Sequence, residues 1–155
     1  MEIEKKYLVN LSGINYNDYP YHSLEQGYLS TNPVVRVRKE DENYYLTYKS
    51  KGMLAREEYN LPLTKESYEH LKKKSDGALI CKKRYLIPYK QYTIELDIFS
   101  GNMSGLVMAE VEFSSTDEAE AFIAPDWFTK EVTFDPDYHN SNFIFVDQFH
   151  SDGEC

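Results

Sequence analysis

Charged residues recur two apart along this chain: Glu2, Glu4 and Lys6; Arg36 and Arg38; Lys82 and Arg84; Glu95 and Asp97; Glu110 and Glu112. Side chains two apart on a strand point to one face, so each set projects together. Lys49, Arg56 and Glu58 add single members, which brings the set to seven bases and seven acids. The alternate positions are apolar, as in Val35 and Val37, in Ile94, Leu96 and Ile98, and in Val111 and Phe113. One charged pair on a strand is ordinarily solvated surface. Five sets sorted by sign along the strands instead form a pattern that can do chemistry. Clustered carboxylates (Glu2, Glu4, Glu110, Glu112) suit hard cations such as Mg²⁺ or Mn²⁺, which take oxygen ligands and leave places for substrate phosphates. Arg and Lys suit phosphoryl oxygens, Arg as a fork and Lys as a point charge. The two sets together describe metal-assisted chemistry on a phosphoanhydride.

The elements that must position these residues are strands. Period-two alternation runs through Glu2–Val9, Leu24–Ser30, Val34–Lys39, Tyr44–Lys49, Arg56–Leu63, Leu79–Tyr89, Gln91–Phe99 and Leu106–Phe113. Turn chemistry at Asp41-Glu42-Asn43 and at Gly101-Asn102 makes most neighbours antiparallel. Eight such strands close into a barrel, because closure removes both edges, and eight leave an interior that a small ligand fills. The expected fold is therefore mainly β (α+β): a closed eight-stranded antiparallel tunnel with a charged interior and a few peripheral helices. Its apolar outer face is expected to be covered by those helices and by a second copy of the chain. Thr64 caps a helix to about Lys74, and Ser115 with Glu118 opens another before Ala119–Ile123. A third is expected at about 140–149, where Phe143, Val146 and Phe149 repeat at helical spacing and Phe145 widens the surface.

Composition excludes several classes. The 155 residues hold one domain, 1–155, with no linker or internal repeat. The 14 Tyr and 8 Phe favour pleated, half-buried surfaces. A net charge of −9 argues against a nucleic-acid partner, and no apolar run is long enough for a membrane span. The charged beginning Met1-Glu2-Ile3-Glu4-Lys5-Lys6 points to a cytoplasmic protein. Cys81 and Cys155 are expected as free thiols, too few for a disulfide framework or a tetrathiolate site. P-loop, dinucleotide, zincin and nucleophile-elbow motifs do not occur, and the four histidines lack ligand spacing.

In order, Glu2-Ile3-Glu4-Lys5-Lys6, Gln26-Gly27-Tyr28-Leu29, Arg36-Val37-Arg38, Lys49, Arg56-Glu57-Glu58, Lys82-Lys83-Arg84-Tyr85, Glu95-Leu96-Asp97 and Glu110-Val111-Glu112 resemble the CYTH domain of the triphosphate tunnel metalloenzymes, from Glu2 to about Tyr138. The resemblance implies an eight-stranded tunnel that binds a linear triphosphate with one or two Mg²⁺ or Mn²⁺ ions. By the same resemblance Glu2, Glu4 and Glu112 are metal ligands with Glu110 in support. Lys6, Arg36, Arg38, Lys49, Arg56, Lys82 and Arg84 are the phosphate cradle, and Lys6, Lys82, Glu110 and Tyr28 act in catalysis, Tyr28 at a mouth of the tunnel. The implied activity is hydrolysis of inorganic tripolyphosphate to pyrophosphate and phosphate, with nucleoside triphosphates as further substrates. Class IV adenylyl cyclase and thiamine triphosphatase are the alternatives within the family, and a polyphosphate- or nucleotide-binding module is the non-enzymatic one.

Overall fold

The computed structural model describes residues 1–143. Ten strands form one antiparallel sheet: β1 Glu2–Val9, β2 Tyr21–Thr31, β3 Val34–Glu40, β4 Asn43–Lys49, β5 Ala55–Arg56, β6 Glu58–Pro62, β7 Asp76–Tyr89, β8 Tyr92–Ser100, β9 Val107–Glu112 and β10 Phe128–Glu131. Their order is β10-β1-β9-β8-β7-β2-β3-β4-β6, with β5 beside β1.

The eight expected strands are all present, and the count differs at two places. The expected strand at 56–63 is bent at Glu57 into β5 and β6. β6 pairs with β4 from Tyr45↔Pro62 to Lys49↔Glu58, whereas β5 pairs with β1 at Glu2↔Arg56 and Ile3↔Ala55. That two-residue pairing returns the wall to its first strand and nearly closes the barrel. The turn leading into it depends on Gly52, whose φ is +132° and where a Cβ would meet the Ala55 carbonyl oxygen at 2.5 Å. The second difference is β10, four residues that pair with β1 on the edge shared with β5. No alternation in Phe128-Thr129-Lys130-Glu131 is long enough to announce it.

The outer face carries an apolar layer of Ile3, Tyr85, Ile87, Ile94, Leu96, Ala109, Val111 and Phe113, covered by Ala119 and Trp127. Phe122 closes this layer edge-on against Phe113, ring centroids 5.1 Å apart. Each Ile, Leu, Val or Phe among them contributes about 1.5–3 kcal/mol when removed from water. The helix α2, Thr116–Ala121, supplies Ala119 and is capped by the Ser115 hydroxyl accepting from the Glu118 amide. Across the barrel, α1, Lys65–Lys72, has Thr64 and Ser67 in a reciprocal capping box and buries Tyr68, whose hydroxyl donates to Glu25 Oε1 at 2.6 Å. The third helix is present as α3, Asn140–Phe143. The rest of the expected helix, with Phe145, Val146 and Phe149, lies outside the described residues. Cys81 corrects the expectation of free thiols, for it is disulfide-bonded.

One end of the interior is apolar. Tyr28, Val34, Ile80, Phe99, Met108 and Val132 pack there with Leu8, Met103, Leu106 and Tyr138. These residues share strands and faces with the charged set, so the same pleat that turns Lys6 inward turns Leu8 inward two residues later. Val132 enters this end because its amide donates to the Lys6 carbonyl at 2.8 Å, which carries the chain on to residues 133–143.

Candidate active site

Above the apolar end lies a cavity of about 210 Å³ lined by charged residues from every strand of the barrel except β2, which supplies Tyr28, and β10. Of the expected site residues, Glu2, Glu4, Lys6, Tyr28, Arg36, Arg38, Lys49, Arg56, Arg84, Glu110 and Glu112 line it. Lys82 does not. Its ammonium has no exposed surface and is held 2.8 Å from Asp97 Oδ2 and 3.4 Å from Asn140 Oδ1, behind the cavity wall. Tyr28 is also displaced from expectation: at 2% exposure it sits in the wall against the apolar end, not at an open rim. Glu112 is exposed at the rim, opposite Glu4 in the β1–β9 register.

Carboxylate partners divide the bases into two groups. Lys6 donates to Glu4 at 2.8 Å, and Lys49 reaches Glu2 at 2.9 Å and Glu58 at 3.2 Å. Arg84 holds Asp97 with Nε at 2.8 Å and Nη2 at 2.9 Å, and touches Glu95 and Glu110 at 3.2 Å. In contrast, Arg36, Arg38 and Arg56 have no carboxylate within 4.0 Å among the described residues. Arg38 donates only to the neutral Gln26 Oε1, at 2.8 and 3.0 Å, and Arg36 Nε is buried with no hydrogen-bond partner among them. Buried guanidinium groups without a counter-charge are costly unless an anion reaches them.

Titration follows this geometry. Burial, with Arg36 and Arg84 beside it, works against the charge of Arg38. A guanidinium does not give up its proton in a protein, so that strain persists as an affinity for anions. Burial pulls the Lys82 ammonium down to about 8 despite Asp97, whose charge is divided between Lys82 and Arg84. Lys6 is raised, its burial outweighed by Glu4 and Glu110. Among the acids, burial and the neighbouring Glu4 push Glu2 up to about 8, while Glu58, hydrogen-bonded to Glu2 and near Lys49, is held down at about 2 against its burial. Glu112 is raised by burial and by Glu4 and Glu58.

These acids test whether a hard cation fits. Among the described residues no three potential ligands are drawn together as a finished metal cluster, since Glu2 and Glu4 face their lysines. The donor set is nonetheless all oxygen, and Glu2, Glu4 and Glu112 each raise a neighbour's pKa or have their own raised by one. Carboxylates that repel one another where lysine compensation is incomplete are the chemistry a divalent cation relieves. The residues fit such an ion.

The chain matches the CYTH domain over residues 1–141. It belongs to the CYTH domain family. It is 40% identical over 146 residues to an inorganic triphosphatase of Nitrosomonas europaea, covering 90% of this chain and 93% of that one. It is likewise 40% identical over 149 residues to an inorganic triphosphatase of Acetivibrio thermocellus, covering 92% of each. The crystal structure of an inorganic triphosphatase superposes with a TM-score of 0.70 at 34% identity, covering 95% of this chain and 96% of the other.

Within this CYTH fold, several lining residues were not anticipated: Glu40, Asn60, His139 and Asn140. Glu40 and Asn60 had a signal, for each lies two residues beyond a recognised inward position, Arg38 and Glu58. His139 and Asn140 had none. They arrive because the chain returns along β1. His139 is then fixed by donating Nε2–H to the Thr133 carbonyl at 2.9 Å, a carbonyl being able only to accept.

Proposed function

We infer that this CYTH protein hydrolyses inorganic tripolyphosphate to pyrophosphate and phosphate, with nucleoside triphosphates as further substrates. The observation that carries this reading is the group of three cavity arginines, Arg36, Arg38 and Arg56, lacking carboxylate partners among the described residues of an otherwise ion-paired interior. A linear polyanion supplies the missing charge along its whole length. The inorganic triphosphatases that share 40% of its residues support the same substrate class.

In this reading Arg36 and Arg38 hold successive phosphoryl groups as forks, and Arg56 neutralises charge from the facing strand. Lys6 and Lys49, paired here with Glu4 and Glu2, would face phosphate where those carboxylates held a cation instead. Glu2, Glu4 and Glu112 would hold Mg²⁺ or Mn²⁺, with Glu110 in support, and a bound ion would supply charge neutralisation and acidify water. Tyr28 presents its hydroxyl from the wall. Lys82, behind that wall, positions Asp97 and Asn140. Positioning and charge neutralisation account for most of phosphoryl-transfer catalysis, so no covalent nucleophile is called for.

Purified protein should release phosphate from tripolyphosphate with Mg²⁺ or Mn²⁺ and stop when a chelator is added. Turnover unchanged by chelator sinks the metal assignment, and tight binding without turnover makes the barrel a polyphosphate-binding module. With ATP, cyclic AMP plus pyrophosphate as products would identify a cyclase.

A homodimer through the outer barrel face belongs to the same proposal, supported by Tyr59 and Leu61, 58% and 57% exposed beside Tyr48. Light scattering on wild type and Leu61→Glu decides it: equal monomer masses remove the dimer. Among the described residues no helix is long and apolar enough to cross a membrane. A cytoplasmic location is proposed with the substrate class. The Cys81 disulfide weighs against it, as such bonds are rare in reducing compartments. Thiol alkylation in fresh extract measures which holds.

A further inference from the structure

The tunnel cavity borders on two further cavities of opposite character. One, of about 450 Å³, shares Val34, Arg56 and His139 with the tunnel and includes Lys51, with no carboxylate among its described lining residues. The other, of about 730 Å³, shares Glu95 and Glu112 with the tunnel and adds Glu118, with no Lys or Arg among its described lining residues. The strands carry this difference inward. From Val34 the next inward residues on β3 are Arg36 and Arg38; from Glu95 the next on β8 is Asp97, and from Glu112 the next on β9 is Glu110. An anion entering at Arg56 meets a cation with no carboxylate partner among the described residues, whereas one entering past Glu95 meets carboxylates.

Lys51 is held at the first mouth by local structure. The Ser50 hydroxyl accepts from the Glu57 amide at 2.9 Å, the Ser50 amide donates to the Glu57 carbonyl at 3.0 Å, and Gly52 takes the positive φ that turns the chain back. The side chain itself is exposed and takes no part in the cavity's ion pairs.

We propose that the triphosphate enters the tunnel through the mouth formed by Lys51, Arg56 and His139, with Lys51 as a steering charge, and that the Glu95–Glu112 mouth does not admit it. This rests on the function proposed above. A focused field of one sign at a cleft raises anion capture by tenfold or more at low salt, and the effect disappears as the screening length falls to about 3 Å near 1 M salt.

The test places one extra negative charge at an exposed position of each mouth, using Lys51→Glu and Thr93→Glu in the full chain. Wild-type tripolyphosphate turnover is measured first, and its absence overturns the functional reading, not the entry route. At low ionic strength Lys51→Glu should lower kcat/KM about tenfold with kcat within twofold, and the loss should vanish in high salt. Thr93→Glu should leave kcat/KM within twofold. Equal losses in both variants, a larger loss in Thr93→Glu, or no salt-dependent loss in Lys51→Glu overturns the proposal. If wild type binds without turnover, calorimetric affinity for tripolyphosphate across the same salt series is read with the same expectations.

Discussion

Arg84 on β7 and Arg36 on β3 are both inward-facing arginines in one barrel, yet they stand in opposite electrostatic states. The partner of Arg84 across the β7–β8 ladder is Asp97, and Glu95 and Glu110 lie within 3.2 Å. The partners of Arg36 are Tyr28 on one side and Thr47 on the other, both neutral. Lys82, Arg84, Glu95, Asp97 and Glu110 of β7, β8 and β9 thus satisfy one another, whereas the arginines of β3 have no carboxylate partner among the described residues. A residue type does not determine its role inside a tunnel; the residue across the ladder does.

The sharpest way to break this contrast is at Asp97. Asp97→Asn leaves Lys82 and Arg84 buried with one counter-charge fewer, and should cost about 3–5 kcal/mol of folding stability in a denaturant melt. A loss below about 1 kcal/mol would mean that the β7–β8–β9 wall is not self-satisfied.

The matching change on the other wall, Arg36→Ala, should spare the fold and damage function. We expect kcat/KM for tripolyphosphate to fall by about 2–4 kcal/mol in transition-state terms, roughly 30- to 1000-fold, with the melting midpoint unchanged or higher. Unfolding at unchanged activity per folded molecule would make Arg36 structural and erase the contrast.

A smaller effect probes the charge of Lys82. Its pKa in the fold, about 8, lies below its ordinary value of 10.5, so between these values the unfolded chain binds more protons and stability rises with pH. Below about pH 8 the wild type carries the full cost of a buried ammonium. The stability of wild type relative to Lys82→Met should therefore improve between pH 7.5 and pH 10, by about 3 kcal/mol at most. Parallel melts at the two pH values check this, and a difference that does not change with pH refutes the depressed pKa.

Least of all should Asn140→Ala matter. Its contacts with Lys82 at 3.4 Å and Glu110 at 3.5 Å are long, so we expect less than about 1 kcal/mol in stability and a change in kcat within threefold. A tenfold loss of kcat would show that Asn140 touches the reacting groups and that the β7–β8–β9 wall is open to substrate after all.

Much of the site was legible because a pleated strand has a period of two. Alternation alone put Glu2 with Glu4 and Lys6, Arg36 with Arg38, and Lys82 with Arg84 on shared faces, and those faces are the interior. The split of the fifth strand was not legible, because the bend at Glu57 depends on β4 and β1 competing for its two ends. Nor was β10, whose four residues become a strand only where β1 offers an edge. The Cys81 disulfide was equally hidden, since the alternation that places Cys81 on a strand face says nothing of its bonding.

What the sequence determined by itself was a charged interior of eight alternating strands and the kinds of ligand its residues suit, because side-chain direction along a strand is local. Tertiary structure alone decided which charges neutralise one another. Lys49 meets Glu2 across 47 residues and Arg84 meets Asp97 across 13, and such pairings depend on strand register and barrel closure, which no local spacing encodes. It also withdrew Lys82 behind the wall and brought His139 and Asn140 to the cavity. The three arginines left without carboxylates among the described residues are the remainder of that long-range pairing, visible only once the partners of Lys6, Lys49, Lys82 and Arg84 are known.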